Sequence, residues 1–131
     1  MNGNETNKIL VVDDEPSMID LMQLMLAQLG YEVSTASDGK QGLRIIESEE
    51  PDLIITDIIM PDTEGIEFIR SLAKERKGLP VIVMSGHPVG MRFLNIVRAF
   101  GAKAALQKPF TSEQLSEVIA AAGCAQRMTF G

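Results

Sequence analysis

The sequence predicts an α/β domain, a parallel sheet covered by helices on both faces. Three observations carry that expectation. Short apolar runs alternate strictly with longer amphipathic ones, the pattern of repeated βαβ units. Three of the short runs, Ile9–Val12, Leu53–Thr56 and Val81–Met84, are apolar nearly throughout, as strands buried on both sides must be. The chain has 131 residues, the length of one domain. A chain of this size buries roughly two thirds of its unfolded surface, enough for a core without metals or disulfides.

Each element follows from its own residues. Ile9-Leu10-Val11-Val12 is short, apolar and β-branched, and it stops at Asp13-Asp14, so it reads as a buried strand. Pro16 suits the first turn of a helix, where its missing N–H costs nothing. From Ser17 to Leu29, residues Met18, Ile19, Met22, Met25, Leu26 and Leu29 recur at helical spacing, and Gly30 stops the helix. The trio Met18, Met22 and Met25 lies on this one-sided stripe, which assigns it to the core rather than to an adaptable surface. Tyr31–Ala36 alternates and gives a second strand. Asp38 caps a second helix with Leu43, Ile45 and Ile46 inward and Pro51 beyond its end.

Leu53–Thr56 is the third strand, ended by Asp57. Glu64–Lys77 is the third helix, with Ile66, Ile69 and Leu72 inward and Gly78 following. Val81–Met84 is the fourth strand, ended by Ser85-Gly86. Pro88–Phe100 is a fourth helix whose first turn Gly90 weakens. Lys103–Leu106 is a short, Ala-rich fifth strand. Thr111–Ala122 is a fifth helix with a capping box at Ser112 or Thr111. Residues 123–131 read as a loose tail, so a single domain has its core at about residues 8–122. With so short a segment after the last helix, a stand-alone protein and a piece of a longer one both remain open.

Composition removes several function classes. One Cys (Cys124) and one His (His87) exclude an internal disulfide and a Cys/His zinc site, and they point to a reducing compartment, the cytoplasm. Apolar runs fall short of the roughly 18 residues of a membrane helix, and the polar start MNGNETNK lacks the pattern of a signal peptide. Aromatics make up 5% and Trp is absent, so aliphatic residues and eight Met must fill the core. The net charge of −6 argues against nonspecific nucleic-acid binding by the whole surface, and no feature supports direct nucleic-acid binding by this domain. That charge is unevenly spread: residues 1–67 carry 15 acids and 3 bases, whereas residues 76–112 carry 6 bases and no acid.

In a parallel α/β sheet, ligands bind beyond the carboxyl ends of the strands. Asp13, Asp14 and Glu15 follow the first strand, Asp57 the third, Ser85 the fourth and Lys108 the fifth. Singly, each has an ordinary reading as a turn, cap or exposed loop residue. Their joint placement at successive strand ends is what signals a site. Two carboxylates about 5 Å apart repel by roughly 3 kcal/mol at an effective dielectric near 20, and a hard divalent cation relieves that repulsion. An all-oxygen ligand set selects Mg²⁺, Mn²⁺ or Ca²⁺ over zinc. A cation, a lysine, a hydroxyl and a carboxylate together suit a phosphoryl group. The carboxylate can itself be the nucleophile, giving an aspartyl phosphate.

With these residues in place, the chain resembles the receiver domain of two-component response regulators, of the single-domain chemotaxis type, from about Lys8 to Ala122. The resemblance rests on ILVVDDEP (9–16), DLIITDIIMPDTEGIEFI (52–69), VIVMSG (81–86) and GAKAALQKPF (101–110). It implies a flavodoxin-like, doubly wound (βα)5 fold with strand order 2-1-3-4-5. It makes Asp57 the phosphoacceptor. Asp14, Asp57 and the main-chain carbonyl of Ile59 become direct Mg²⁺ ligands, with Mn²⁺ an alternative, and Asp13 acts through water. Ser85 and Lys108 bind the phosphoryl oxygens, the Lys108–Pro109 peptide is cis, and Pro61 and Gly65 shape the loop beyond Asp57.

The implied donor is the phosphohistidine of a sensor histidine kinase or a histidine phosphotransfer protein. The implied output face is the fourth helix, fifth strand and fifth helix, offered to a downstream protein target or to a second copy in a homodimer. No membrane partner is implied. Such a domain catalyses its own phosphorylation and slow dephosphorylation; it is not an enzyme with external turnover. Two departures stand out. Ala105 replaces the usual aromatic three residues before the lysine, a space that Phe93 is the candidate to fill. Ile59 and His87 occupy positions that tune dephosphorylation, and an apolar Ile59 cannot orient a water, so a long-lived phosphoryl state is expected.

Other functions fit less well. A phosphate-independent module of the same fold is the main alternative, favoured by Ala105 and disfavoured by the intact polar set. A phosphatase would want an acid where Ile59 stands. A flavin carrier would want a Ser/Thr/Gly-rich loop where DDEPS stands.

Overall fold

A computed structural model describes residues 8–57, 64–76, 78–86 and 101–123, together with Asn95, Arg98 and Ala99. Five strands, β1 (Lys8–Val12), β2 (Glu32–Ala36), β3 (Leu53–Asp57), β4 (Val81–Ser85) and β5 (Ala104–Gln107), form one parallel sheet in the order β2-β1-β3-β4-β5. Four described helices lie between or after them: α1 (Pro16–Gln28), α2 (Gly39–Glu49), α3 (Glu64–Glu75) and α4 (Ser112–Gly123). This is the expected fold and order. Of the expected helix Pro88–Phe100, Asn95, Arg98 and Ala99 are helical; its other residues, and the tail after Gly123, lie outside the described residues.

Side chains alternate across the sheet and sort the core into two halves. Leu10 and Val12 of β1, Ile54 of β3 and Val83 of β4 join Ile46 of α2 and Phe68, Ile69 and Leu72 of α3 on one face. Ile9, Val11, Leu53, Ile55, Ile82 and Met84 join Met22, Met25 and Leu26 of α1 and Leu115 and Ile119 of α4 on the other. Met22 and Met25 are buried and Met18 is half-buried against the same cluster, so the methionine trio is core as predicted. On α1, Leu21 and Leu24 stay exposed because they fall off the predicted stripe.

Helix ends use the predicted residues. Asp38 accepts the Gln41 N–H at 2.8 Å. The capping box at α4 resolves to Thr111: its Oγ1 accepts the Gln114 N–H at 3.0 Å, and Gln114 Oε1 accepts the Thr111 N–H at 2.9 Å. Gly30 sits at φ +99 after α1, with open space where a Cβ would stand. The cost of a side chain there is therefore conformational alone. Gly30→Ala is expected to lower unfolding free energy by about 1 kcal/mol, read as an earlier urea midpoint with an unchanged slope. Gly42 is constrained in a different way: a Cβ would stand 3.1 Å from the Phe68 ring where α2 packs on α3, so the ring would have to give by a few tenths of an ångström.

Element boundaries shift where strand pairing or capping decides them. Asp57 and Ser85 end their strands rather than following them, because the ladder still pairs Asp57 with Met84 and Ser85 with Gln107. For the same reason β5 begins at Ala104 and reaches Gln107. The third helix stops at Glu75, two residues early, with Gly78 at φ +93 turning the chain toward β4.

Candidate functional site

The polar residues at the strand ends meet at one edge of the sheet. Asp13 leaves β1 with its N–H bonded to the Ala36 carbonyl at 3.0 Å. Its Oδ1 accepts the Glu15 N–H at 2.9 Å, which turns the acidic loop into α1. Asp13, Asp57 and Ser85 are all buried, at 1%, 7% and 5% exposure, where the other buried side chains among the described residues are almost all apolar. Asp14 is exposed. Lys108 leaves β5 with its N–H bonded to the Ser85 carbonyl at 2.7 Å, and the Lys108–Pro109 peptide is cis, as the resemblance implies.

The Lys108 ammonium supplies the charge that lets two carboxylates be buried together. Its Nζ lies 3.2 Å from Asp13 Oδ2 and 3.3 Å from Asp57 Oδ2. Burial alone would lower its pKa, but the Asp57 and Asp13 carboxylates outweigh that and hold it above the ordinary lysine value of 10.5. A lysine pKa raised by folding stabilises the protein fully below the unfolded value of about 10.4 and stops doing so as pH climbs through the folded value. The stability difference between wild type and Lys108→Met, read from urea melts, is therefore expected to hold from about pH 7 to about pH 9 and to shrink in stronger alkali.

Three carboxylates against one ammonium leave negative charge in excess. Asp13, Asp14 and Asp57 each present an oxygen, and these oxygens all lie within 4.8 Å of one another. Oxygens bound about 2.1 Å from a shared Mg²⁺ ion lie roughly 3–4.2 Å apart, so the cluster needs little closing to hold one hard dication. The donor set is all oxygen, which fits Mg²⁺ or Mn²⁺.

The structure thus brings Asp13, Asp14, Asp57 and Lys108 together, with Ser85 buried at the end of the neighbouring strand. Ile59, Pro61, His87 and Phe93 lie outside the described residues, and Gly65 falls in the first turn of α3. Ala105 is half-buried on the face shared by α2 and α3, in register with Val83. Sequence reasoning missed Thr56, which is 0% exposed and donates from Oγ1 to the Asp57 carbonyl at 3.2 Å. Its burial and its partner, the two facts that set it apart from a β-branched strand filler, come from the fold and not from the sequence.

A family model described as the response regulator receiver domain matches residues 9–120. The chain is 36% identical over 110 residues to the alkaline phosphatase synthesis transcriptional regulatory protein PhoP of Bacillus subtilis, covering 83% of this chain and 45% of that protein. It is 37% identical over 109 residues to the probable transcriptional regulator ycf27 of Cyanophora paradoxa, covering 82% of this chain and 44% of that one. The chain therefore spans less than half the length of these relatives. Among solved structures, a CheY-like response regulator receiver domain protein from Methanospirillum hungatei superposes with a TM-score of 0.84 at 31% identity, covering 97% of this chain and 100% of that one. The response regulator TrrA of Thermotoga maritima, solved in complex with Mg²⁺-BeF, gives 0.76 at 31% identity, covering 86% and 96%.

Proposed function

Because the chain belongs to the response regulator receiver domain family, we propose that it is a phosphorylation-controlled switch that accepts a phosphoryl group on Asp57. The observation that carries this reading is the contact of one ammonium with two buried carboxylates beside a third. Folding does not require that concentration of like charge, and phosphoryl chemistry uses it.

The residues divide the work. An Asp57 carboxylate oxygen attacks phosphorus in line while the bond from phosphorus to the donor's imidazole nitrogen breaks and its electron pair returns to the ring. Lys108, already 3.3 Å from Asp57, turns from that carboxylate to the charge gathering on the phosphoryl oxygens. Ser85 supplies a hydroxyl from the adjacent strand. Asp13 and Asp14, with Asp57, would hold Mg²⁺, which when bound neutralises charge on the transferring group. The Ile59 carbonyl completes the ligand set in this reading. The donor is a phosphohistidine on a sensor kinase or phosphotransfer protein. The readers are a downstream target or a second copy meeting the face that includes β5 and α4. A cytoplasmic setting accords with the absence, among the described residues, of any helix long and apolar enough to cross a membrane.

The test is intact-mass measurement of the wild-type chain incubated with acetyl phosphate, with and without Mg²⁺. A gain of one phosphoryl group that EDTA prevents supports the reading. Mg²⁺ binding without any gain would favour the phosphate-independent module instead.

A further inference from the structure

Thr56 is the residue left over once the polar site is accounted for. It sits within β3 at 0% exposure, after the apolar Leu53, Ile54 and Ile55. Its register partners are Val12 in β1 and Val83 in β4. A valine would match the volume and shape of this position without taking a hydroxyl out of water, a transfer that costs free energy unless a partner is found. The partner it finds is local and specific. Oγ1 donates to the main-chain carbonyl of Asp57, 3.2 Å away.

That carbonyl belongs to the last residue of β3. The same residue carries the carboxylate that meets Lys108 and lies with the acidic pair. We infer that Thr56 is a positioning residue: its hydroxyl fixes the peptide plane after Asp57 and so aims the Asp57 carboxylate at its shared cation and at the incoming phosphorus. A small error in that aim matters because reacting atoms must be held close and aligned for the transfer. The inference rests on the reading of Asp57 as acceptor and metal ligand.

The test compares wild type, Thr56→Val and Thr56→Ser by Mg²⁺ titration calorimetry, by the rate of phosphoryl uptake from acetyl phosphate, and by thermal melting. Thr56→Val is expected to weaken Mg²⁺ binding and slow uptake by about three- to tenfold, the worth of one neutral hydrogen bond. Its melting temperature should match or exceed that of wild type, because an apolar group then fills an apolar site. Thr56→Ser keeps the hydroxyl and should restore both functional values while melting earlier, having lost a buried methyl. A Thr56→Val protein that binds Mg²⁺ and takes up phosphoryl as wild type does overturns the role of Thr56 alone. A wild-type chain that neither binds Mg²⁺ nor takes up a phosphoryl group overturns the reading of Asp57 and this inference with it.

Discussion

Asp57→Asn is expected to take up no phosphoryl group from acetyl phosphate under conditions that modify the wild-type chain. An amide oxygen is a poor nucleophile and carries no formal charge, so the step that forms the new bond to phosphorus fails. The fold should survive. Asparagine has the same shape, and the ladder that pairs residue 57 with Met84 uses main-chain groups. Far-UV circular dichroism and the urea slope should therefore be unchanged while the mass gain vanishes. A gain of one phosphoryl group in Asp57→Asn would place the acceptor elsewhere, and peptide mapping would then have to find it.

Lys108→Met should move two measurable quantities in opposite directions. The ammonium lies 3.2 and 3.3 Å from oxygens of Asp13 and Asp57, which also belong to the candidate metal cluster. A unit charge about 5 Å from a dication is repelled by roughly 7 kcal/mol at an effective dielectric near 20, and a fifth of that is about tenfold in affinity. Mg²⁺ is thus expected to bind about tenfold more tightly to the variant. Phosphoryl uptake should fall by about a hundredfold, because charge developing on the transferring group loses its positive partner. Without Mg²⁺ the variant should lose about 2 kcal/mol of stability, less than the roughly 3–5 typical of a broken, fully buried pair; the Lys108 side chain keeps 17% of its surface. Added Mg²⁺ should restore much of that loss. Calorimetry, mass kinetics and urea melts check the three effects. A parallel fall in affinity and uptake would mean that Lys108 maintains the shape of the site rather than serving phosphate.

Much of this arrangement is legible in the amino-acid sequence. Apolar runs bounded by Asp13, Asp57 and Ser85 placed the strands, and the rule that ligands gather at carboxyl ends placed the site. Asp38, Gly30 and the Thr111-Ser112 pair marked helix ends because caps are local chemistry, written within three or four residues. What the sequence could not show depended on distant partners. Asp57 and Ser85 count as strand residues because Met84 and Gln107 stand beside them. The reach of Lys108 to both Asp13 and Asp57 spans 95 and 51 residues along the chain, and no periodicity encodes it. Thr56 escaped notice for the opposite reason, since a threonine in a strand looks like any β-branched filler until its burial and its partner are known. The family resemblance supplied the strand order and the roles of Ile59 and His87. The order is now seen directly, and the two roles remain proposals.

The position of Lys108 has a mechanical meaning beyond its charge. From the end of β5 its side chain passes β4 and fastens onto the ends of β3 and β1, like a buckle across the sheet's carboxyl edge. Among the described residues, β5 shares a ladder with β4 alone. Among the described residues, the last strand and the helix after it are held to the body by one row of main-chain bonds, by packing that includes Leu106, Leu115 and Ile119, and by that clasp. Whatever draws the ammonium away from the two carboxylates undoes the clasp, so the end of the chain is where amide protons should first exchange faster.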